Sequence, residues 1–295
     1  MIPVDLSGKT ALITGVADNV GFAWHIAKTL QAAGADIILA SHPRVISIVE
    51  RFLRGAKYEE SRQLPFGQGE FAPKALIPCD VAFDVAEDVP EDVRERKGYL
   101  GQDVSIDGCM TKVKELVSGL DIVIHSVGFS PEIKISHDKV SRAAYLETLS
   151  ISAYSLVALA RASAPLMQGR NGSMLGLSFN AAQRVYPDYG GGMATAKAAL
   201  ESDARNLAWY LGKEGHRINI VSAGPYGSRA AKSIGRIQKM INHAAERSPI
   251  ERGITADEVA NACLFLSSDM SMGITGQCLF VDNGFNTVGA IDLDP

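Results

Sequence analysis

The segment FNAAQRVYPDYGGGMATAKAALES carries two side chains suited to acid–base work at an oxygen atom, Tyr189 and Lys197. A phenol gives a hydrogen bond or a proton to a substrate oxygen. A neighbouring ammonium lowers the phenol's pKa and can bond a sugar hydroxyl. Lys197 follows Tyr189 by eight residues, which on a regular helix turns about 800° and leaves the two roughly 80° apart. They can act together only if Tyr189 lies ahead of the helix and Gly190, Gly191 and Gly192 carry the chain into it. Otherwise Tyr189 is a loop aromatic and Lys197 a solvated helix residue. Met193, which stands one turn after Tyr189, and Phe179, ten residues before it, are the adjoining candidates for substrate contact.

A second set of residues suits a dinucleotide. TALIT runs into GVADNVGFAW, where Gly15 and Gly21 bracket a turn and a helix opens at once. Bare backbone there lets a pyrophosphate approach, with Ala17 and Phe22 flanking it, and the helix N-terminus offers unpaired N–H groups and partial positive charge. A tight β–α turn without a ligand would look similar, because the spacing is not G-x-G-x-x-G. The next strand ends LASHPR. An acid at this point bonds the adenosine ribose of NAD and a basic group meets the 2′-phosphate of NADP. No acid is present. Ser41 and His42 are expected to bond the ribose and stack on adenine; NADH is favoured, and Arg44 leaves NADPH open. Asp80 and Val81 follow the third strand and suit the adenine amino group. Ser126, Val127 and Gly128 after the fourth strand, and Ala223, Gly224 and Pro225 after the sixth, suit the nicotinamide half. Every candidate falls at a strand C-terminus, and that convergence carries more weight than any one motif.

The elements that must position these residues read as β–α units winding a parallel sheet. Strands are predicted at 10–14, 36–40, 74–79, 120–125, 173–178, 217–222 and 277–281, with helices near 21–33, 43–54, 105–118, 139–166, 193–214 and 256–268. The expected fold is α/β: a single Rossmann-like, doubly wound parallel sheet of about seven strands, helices on both faces, and a helical lid. No linker divides the 295 residues, so one catalytic domain, 1–295, is predicted. Its excess length falls in polar insertions within 55–104, read as solvated surface, and in an Ala-, Ile-, Met- and Arg-bearing stretch, 225–252, read as a substrate lid.

Composition narrows the function classes. A net charge of −4 with no run of Lys and Arg argues against nucleic acid as a partner. Cys79, Cys109, Cys263 and Cys278 are scattered, which fits no metal site and a reducing compartment. No charged leader precedes an apolar stretch and no run approaches ~18 uninterrupted apolar residues. The expectation is a cytoplasmic protein with no membrane partner, or one in a plastid-type organelle if a transit peptide has been removed.

From DLSGKTALITGVADNVGFAWHIAK through YGGGMATAKAALESDARNLAW and SAGPYGSRAAKSIG to GITGQCLFVDNG, the chain resembles the enoyl-acyl-carrier-protein reductases of type II fatty-acid synthesis. These are a divergent branch of the short-chain dehydrogenase/reductase superfamily. The similarity is greatest to the plant, chlamydial and apicomplexan subgroup, which shares the Tyr-Gly-Gly-Gly-Met spacing and an insertion like FDVAEDVPEDV. The resemblance implies hydride transfer from NADH to a trans-2-enoyl thioester borne by an acyl carrier protein, in a homotetramer built through the helices flanking the fifth strand. It makes Tyr189 the catalytic tyrosine and Lys197 the ribose-binding lysine. Gly15, Gly21, Phe22, Asp80, Val81, Val127 and the stretch from Tyr226 through Ser228 to Ala230 fall at cofactor contacts. Ser130 falls at a substrate contact, and Tyr226 serves both.

Two positions depart from the subgroup. His42 replaces a Trp at the adenine site, and Phe179 replaces a Tyr, as in the mycobacterial branch, which HSVGF also resembles. Phe donates no hydrogen bond, so its part there is steric and bears on acyl-chain preference. An acidic carrier needs a basic patch, for which Arg229, Lys232, Arg236 and Lys239 recur at helical spacing in the lid; an ordinary solvated helix face is the alternative. Two other functions compete. A carbonyl or alcohol dehydrogenase of the same superfamily lacks support from a Tyr-x-x-x-Lys motif, and a catalytically silent dinucleotide sensor would not need Tyr189 and Lys197.

Overall fold

The structure is a computed structural model that describes residues 4–289, apart from the side chain of Ala230. Seven strands form one parallel sheet: β1 Thr10–Thr14, β2 Asp36–Ser41, β3 Ala75–Pro78, β4 Ile122–His125, β5 Ser173–Phe179, β6 Arg217–Ala223 and β7 Cys278–Val281. Their order is β3-β2-β1-β4-β5-β6-β7. The chain reverses direction across the sheet between β1 and β4, and such a reversal opens a crevice beyond the strand C-termini.

Successive residues of each strand feed opposite faces, and both faces are covered, which is why the strands read as continuous apolar runs. Ile13, Ile37, Leu39, Ile124 and Val221 point to one core, closed by α1 (Phe22–Ala32) and by a helix near the C-terminus that carries Val259 and Cys263. Leu12, Ile38, Val123, Met174 and Ile220 point to the other. That second core is closed by α3 (Ile106–Leu116), α4 (Arg142–Met167) and α5 (Met193–Gly212), α2 being Ile46–Arg54 beside β3. The C-terminal helix, α7 (Ala256–Ser267), starts at a capping box in which Thr255 and Glu258 satisfy each other's backbone N–H.

Helix α4 is not uniform. Ser150–Tyr154 form a π-helical turn, and the bulge aims Ser152 and Ser155 at the end of β4. Among the described residues α4 is also the one helix long and apolar enough to cross a membrane; here its apolar side packs between α3 and α5.

The insertions are more than a solvated surface. Residues 55–73 send Phe71 and Leu64 into the core, where Trp24 packs edge-on to Phe71 with ring centres 5.0 Å apart and donates its indole N–H to the Ser61 carbonyl. Residues 84–104 form a small core of their own from Val89, Tyr99 and Val104. Widely spaced apolar residues in a polar stretch carry no periodicity, so neither docking was legible. The lid is also divided: a turn of helix at Arg229–Lys232 precedes α6 (Ile237–Arg247), with Arg236 at the α6 N-cap. The four basic residues therefore do not share one helix face.

Trp24 joins α1 to the first insertion. Trp24→Ala is expected to cost about 3–5 kcal/mol in urea unfolding and to make the 55–73 segment cleavable by protease before the sheet unfolds. Equal resistance of that segment in both proteins would contradict this account.

Candidate active site

A cavity of about 1140 Å³ lies beyond the C-terminal ends of β1, β4, β5 and β6. Of the predicted residues, Gly15, Ala17, Gly21 and Phe22 line it from the first turn. Ser126, Val127, Gly128 and Ser130 follow β4; Phe179 ends β5, with Tyr189, Met193 and Lys197 beyond it; Ala223 ends β6 and is followed by Gly224, Pro225, Tyr226 and Ser228.

Lys197 is buried on α5, and its ammonium donates to the Leu177 carbonyl at 2.8 Å and the Val127 carbonyl at 3.1 Å. Desolvation lowers its pKa to about 8. One turn further along α5, buried Glu201 accepts from the Ser178 hydroxyl at 2.7 Å and the Gln183 amide at 3.0 Å, clamping the end of β5 to the helix. His125, at the end of β4, contacts the Ser155 hydroxyl at 2.6 Å. Burial, with the Lys197 charge behind it, holds its pKa down at about 3, so it is neutral.

Tyr189 precedes α5. The chain then passes through Gly191 and Gly192, both with positive φ, before the helix begins at Met193. A Cβ on Gly191 would lie 2.2 Å from the Ser130 Oγ, because Ser130 and Thr148 both donate to the Gly191 carbonyl, at 2.8 and 2.9 Å. Ser130 thus spends its hydroxyl on the glycine segment. The Tyr189 hydroxyl has no hydrogen-bond partner among the described residues, and desolvation raises its pKa. Its ring packs against Phe179 at 5.0 Å.

The dinucleotide side shows both fit and correction. Gly15 has φ +78°, and a Cβ there would lie 2.0 Å from the Ser126 carbonyl, so the crossing of β1 and β4 admits only glycine. The α1 N-terminus is partly occupied: the Asp18 carboxylate accepts from the Val20 and Gly21 amides at 3.0 and 2.6 Å. The Phe22 and Ala23 amides remain for an anion. Ser41 does not face a ribose. Its hydroxyl is buried and donates to the Val16 carbonyl at 2.6 Å, bracing the first turn instead.

Ser41, His42, Asp80 and Val81 stand outside the main cavity lining, on the rim formed by β2 and β3. There the second insertion adds a residue that sequence reasoning missed. Tyr99 donates to Asp80 Oδ2 at 2.7 Å and lies 3.1 Å from His42 Nε2, while His42 Nδ1 accepts from the Arg44 amide. Burial opposes the Asp80 charge, but hydrogen bonds from His42 and Tyr99 leave its pKa below the ordinary carboxylate value. Ile234, Ile237 and Met240, from the expected lid, line the cavity together with Ile133 and Ile135 beyond β4, which sequence reasoning missed. No group of three or more His, Cys, Asp or Glu side chains suited to a metal occurs among the described residues.

A family model described as Enoyl-(Acyl carrier protein) reductase matches residues 75–286. The chain belongs to the enoyl-acyl-carrier-protein reductases. A chloroplastic NADH-dependent enoyl-acyl-carrier-protein reductase of Oryza sativa is 44% identical over 98% of this chain and 78% of its own length. An NADH-dependent enzyme of Aquifex aeolicus is 36% identical over 96% of this chain and 93% of its own. Among solved structures, the Plasmodium berghei enoyl-acyl-carrier-protein reductase with triclosan superposes with TM-score 0.90 at 34% identity, covering 95% of this chain and 98% of that one. The Anaplasma phagocytophilum reductase in complex with NAD gives 0.79 at 31% identity, covering 98% and 96%.

Within this reductase, the Tyr99 contacts make the rim at the ends of β2 and β3 a unit. Tyr99→Phe removes one of the donors to Asp80, so the Asp80 pKa is expected to rise. Since a carboxylate with a lowered folded pKa contributes stability that disappears as pH falls through that pKa, the variant is expected to lose about 1–3 kcal/mol at pH 7 and little below both pKa values. Carboxyl NMR titration and unfolding at the two pH values check both effects; an unmoved Asp80 titration would refute them.

Proposed function

We propose that the protein reduces the trans-2 double bond of enoyl thioesters carried by an acyl carrier protein, with NADH as the reductant. The observation that carries this reading is the convergence, in one cavity, of the unpartnered Tyr189 hydroxyl, the buried Lys197 ammonium and the Gly15 crossing. A bound NADH supplies the hydride. The rest belongs to the chain.

Gly15 and the Phe22 and Ala23 amides would admit and hold the pyrophosphate, and Val127, Gly128, Ala223 and Gly224 would flank the nicotinamide. Lys197 would hold the nicotinamide ribose and put a positive charge beside the reacting centre. As C3 of the enoyl group accepts hydride, negative charge develops on the thioester oxygen, and a proton drawn from water then adds at C2 to complete the saturated thioester. Tyr189, whose high pKa keeps it protonated, would donate a hydrogen bond to that oxygen where the charge grows, the place at which a preorganised donor accelerates most. Phe179 and Met193 would exclude water there, and the isoleucines and Met240 would take the acyl chain. His42, Asp80 and Val81 would border the adenine. Among nicotinamide cofactors, the names of the relatives support NADH.

One catalytic unit serves this reaction, as every cavity-lining segment joins the same sheet. We also place it in a homotetramer, supported by the exposed Trp209 and Tyr210 on α5 and Leu146 on α4. The expected sedimentation velocity result is a four-subunit species that Trp209→Glu dissociates; a monomer in the unaltered protein would refute it. Four free cysteines fit a reducing cytoplasm, and relatives named as chloroplastic make a plastid equally compatible.

Tyr189→Phe is expected to lower kcat for crotonyl thioesters about 100- to 1000-fold with little change in NADH binding. Because the Lys197 ammonium is lost as pH rises through about 8, kcat/KM for NADH should fall above that pH, and Lys197→Met should flatten the profile. Undiminished turnover by Tyr189→Phe, or reduction of a ketoacyl thioester in preference to the enoyl one, would overturn the reading. NADH binding without any turnover would favour a sensor.

A further inference from the structure

A second cavity, of about 450 Å³, opens between the 180–188 loop, α6 and residues 285–288. It takes no part in the chemistry described so far, yet it shares a wall with the reaction cavity, because Met240 lines both. The aromatic contacts run through the same wall. Tyr186 lines the second cavity and packs on Phe179 at 4.6 Å, while the other contact of Phe179 is Tyr189.

The lining has a definite chemistry. Arg184 and Lys239 face the cavity and neither is in an ion pair among the described residues; His243 stands beside them. The carboxylate on the wall, Asp188, is met by Arg236 at 3.3 Å. At the inner end, the Tyr186 hydroxyl is buried without a hydrogen-bond partner, and Asn180, 4% exposed, lines the same space. Buried polar groups of this kind are ordinarily satisfied. Val185, Phe285 and Val288 make the rest of the border apolar. Two cations, polar groups held ready at the inner end and an apolar margin suit a phosphate attached to a branched aliphatic chain.

We infer that this second cavity binds the phosphodiester end of the pantetheine arm that presents the enoyl thioester. The inference rests on the proposed reaction and assigns to its substrate a subsite beyond the reacting atoms. The two cavities adjoin at Met240, and the arm, comparable to about four extended residues, ~13 Å, would run past that residue from the phosphate to the thioester at Tyr189. The gem-dimethyl carbon next to the phosphate would lie along the Val185 and Val288 margin.

The test compares crotonyl-4′-phosphopantetheine with crotonyl-pantetheine, which differ only in the phosphate. The intact enzyme is expected to favour the phosphorylated substrate about tenfold or more in kcat/KM, the effect of one charge-assisted hydrogen bond. The double substitution Arg184→Ala and Lys239→Ala should abolish that preference through KM, Lys239→Arg should retain most of it, and Tyr186→Phe should lose part. Millimolar inorganic phosphate should compete with the phosphorylated substrate alone. No preference in the intact enzyme, or a preference that survives the double substitution, would overturn the subsite. Failure to reduce either thioester would instead count against the proposed reaction, since it would leave no rate for the phosphate to change. Both cations are exposed at the cavity mouth, and unaltered NADH affinity would show that the variants fold.

Discussion

A buried ammonium at the edge of a parallel sheet constrains this structure more than any other single group. Lys197 has left water for a site where desolvation opposes its charge, and the carbonyls of Leu177 and Val127 compensate. Those two carbonyls belong to the ends of neighbouring chain segments, β5 and the exit of β4. Helix α5 must therefore cross both ends at a fixed height. Glu201 fixes it further by holding Ser178 and Gln183. The rest of the site follows from that placement: His125 is kept neutral, the β4 exit is tied down by Ser152, and Tyr189 enters the cavity only because the glycines turn the chain sharply before α5.

Much of this was legible in the sequence, and for a physical reason. Strands buried on both faces read as short apolar runs, and all seven fall within a few residues of where they were expected. The Tyr189 and Lys197 spacing was incompatible with one regular helix, and the glycines between them already contained the solution. Sites at strand ends are legible because the topology puts all strand ends together. What was not legible depends on long-range pairing. Nothing local in LASHPR says that the Ser41 hydroxyl will be taken by Val16, whereas the Asp18 carboxylate bonds amides only two and three residues on, an Asx-type turn that the sequence itself signals. Tyr99 lies 57 positions beyond His42, within a stretch whose composition suggests only solvent.

The insertions change the character of the two ends of the cavity. At the ends of β2 and β3, a tyrosine from the second insertion orders a histidine and an aspartate into one hydrogen-bonded group, so that the edge-on ring and carboxylate are presented together. At the far end, the lid is not a single basic helix but two helical pieces with Arg236 between them. That residue pairs with Asp188 in a solvent-exposed contact at 3.3 Å. Lys239 lines the second cavity together with Arg184 from a different part of the chain, while Arg229 and Lys232 stand exposed on the preceding turn.

The replacement of a phenol by Phe179 takes on a different meaning in that setting. A hydroxyl at this position would have projected from the wall between Tyr186 and Tyr189, where it would compete for the thioester oxygen or demand a partner of its own. Phe179 leaves Tyr189 as the sole phenol of the pair directed at the reaction cavity and gives Tyr186 an apolar surface to pack against. The aromatic contacts thus lie between the two cavities, which adjoin at Met240. A shift of the lid that moves Met240 alters both spaces at once, so the shapes of the two cavities are not set independently.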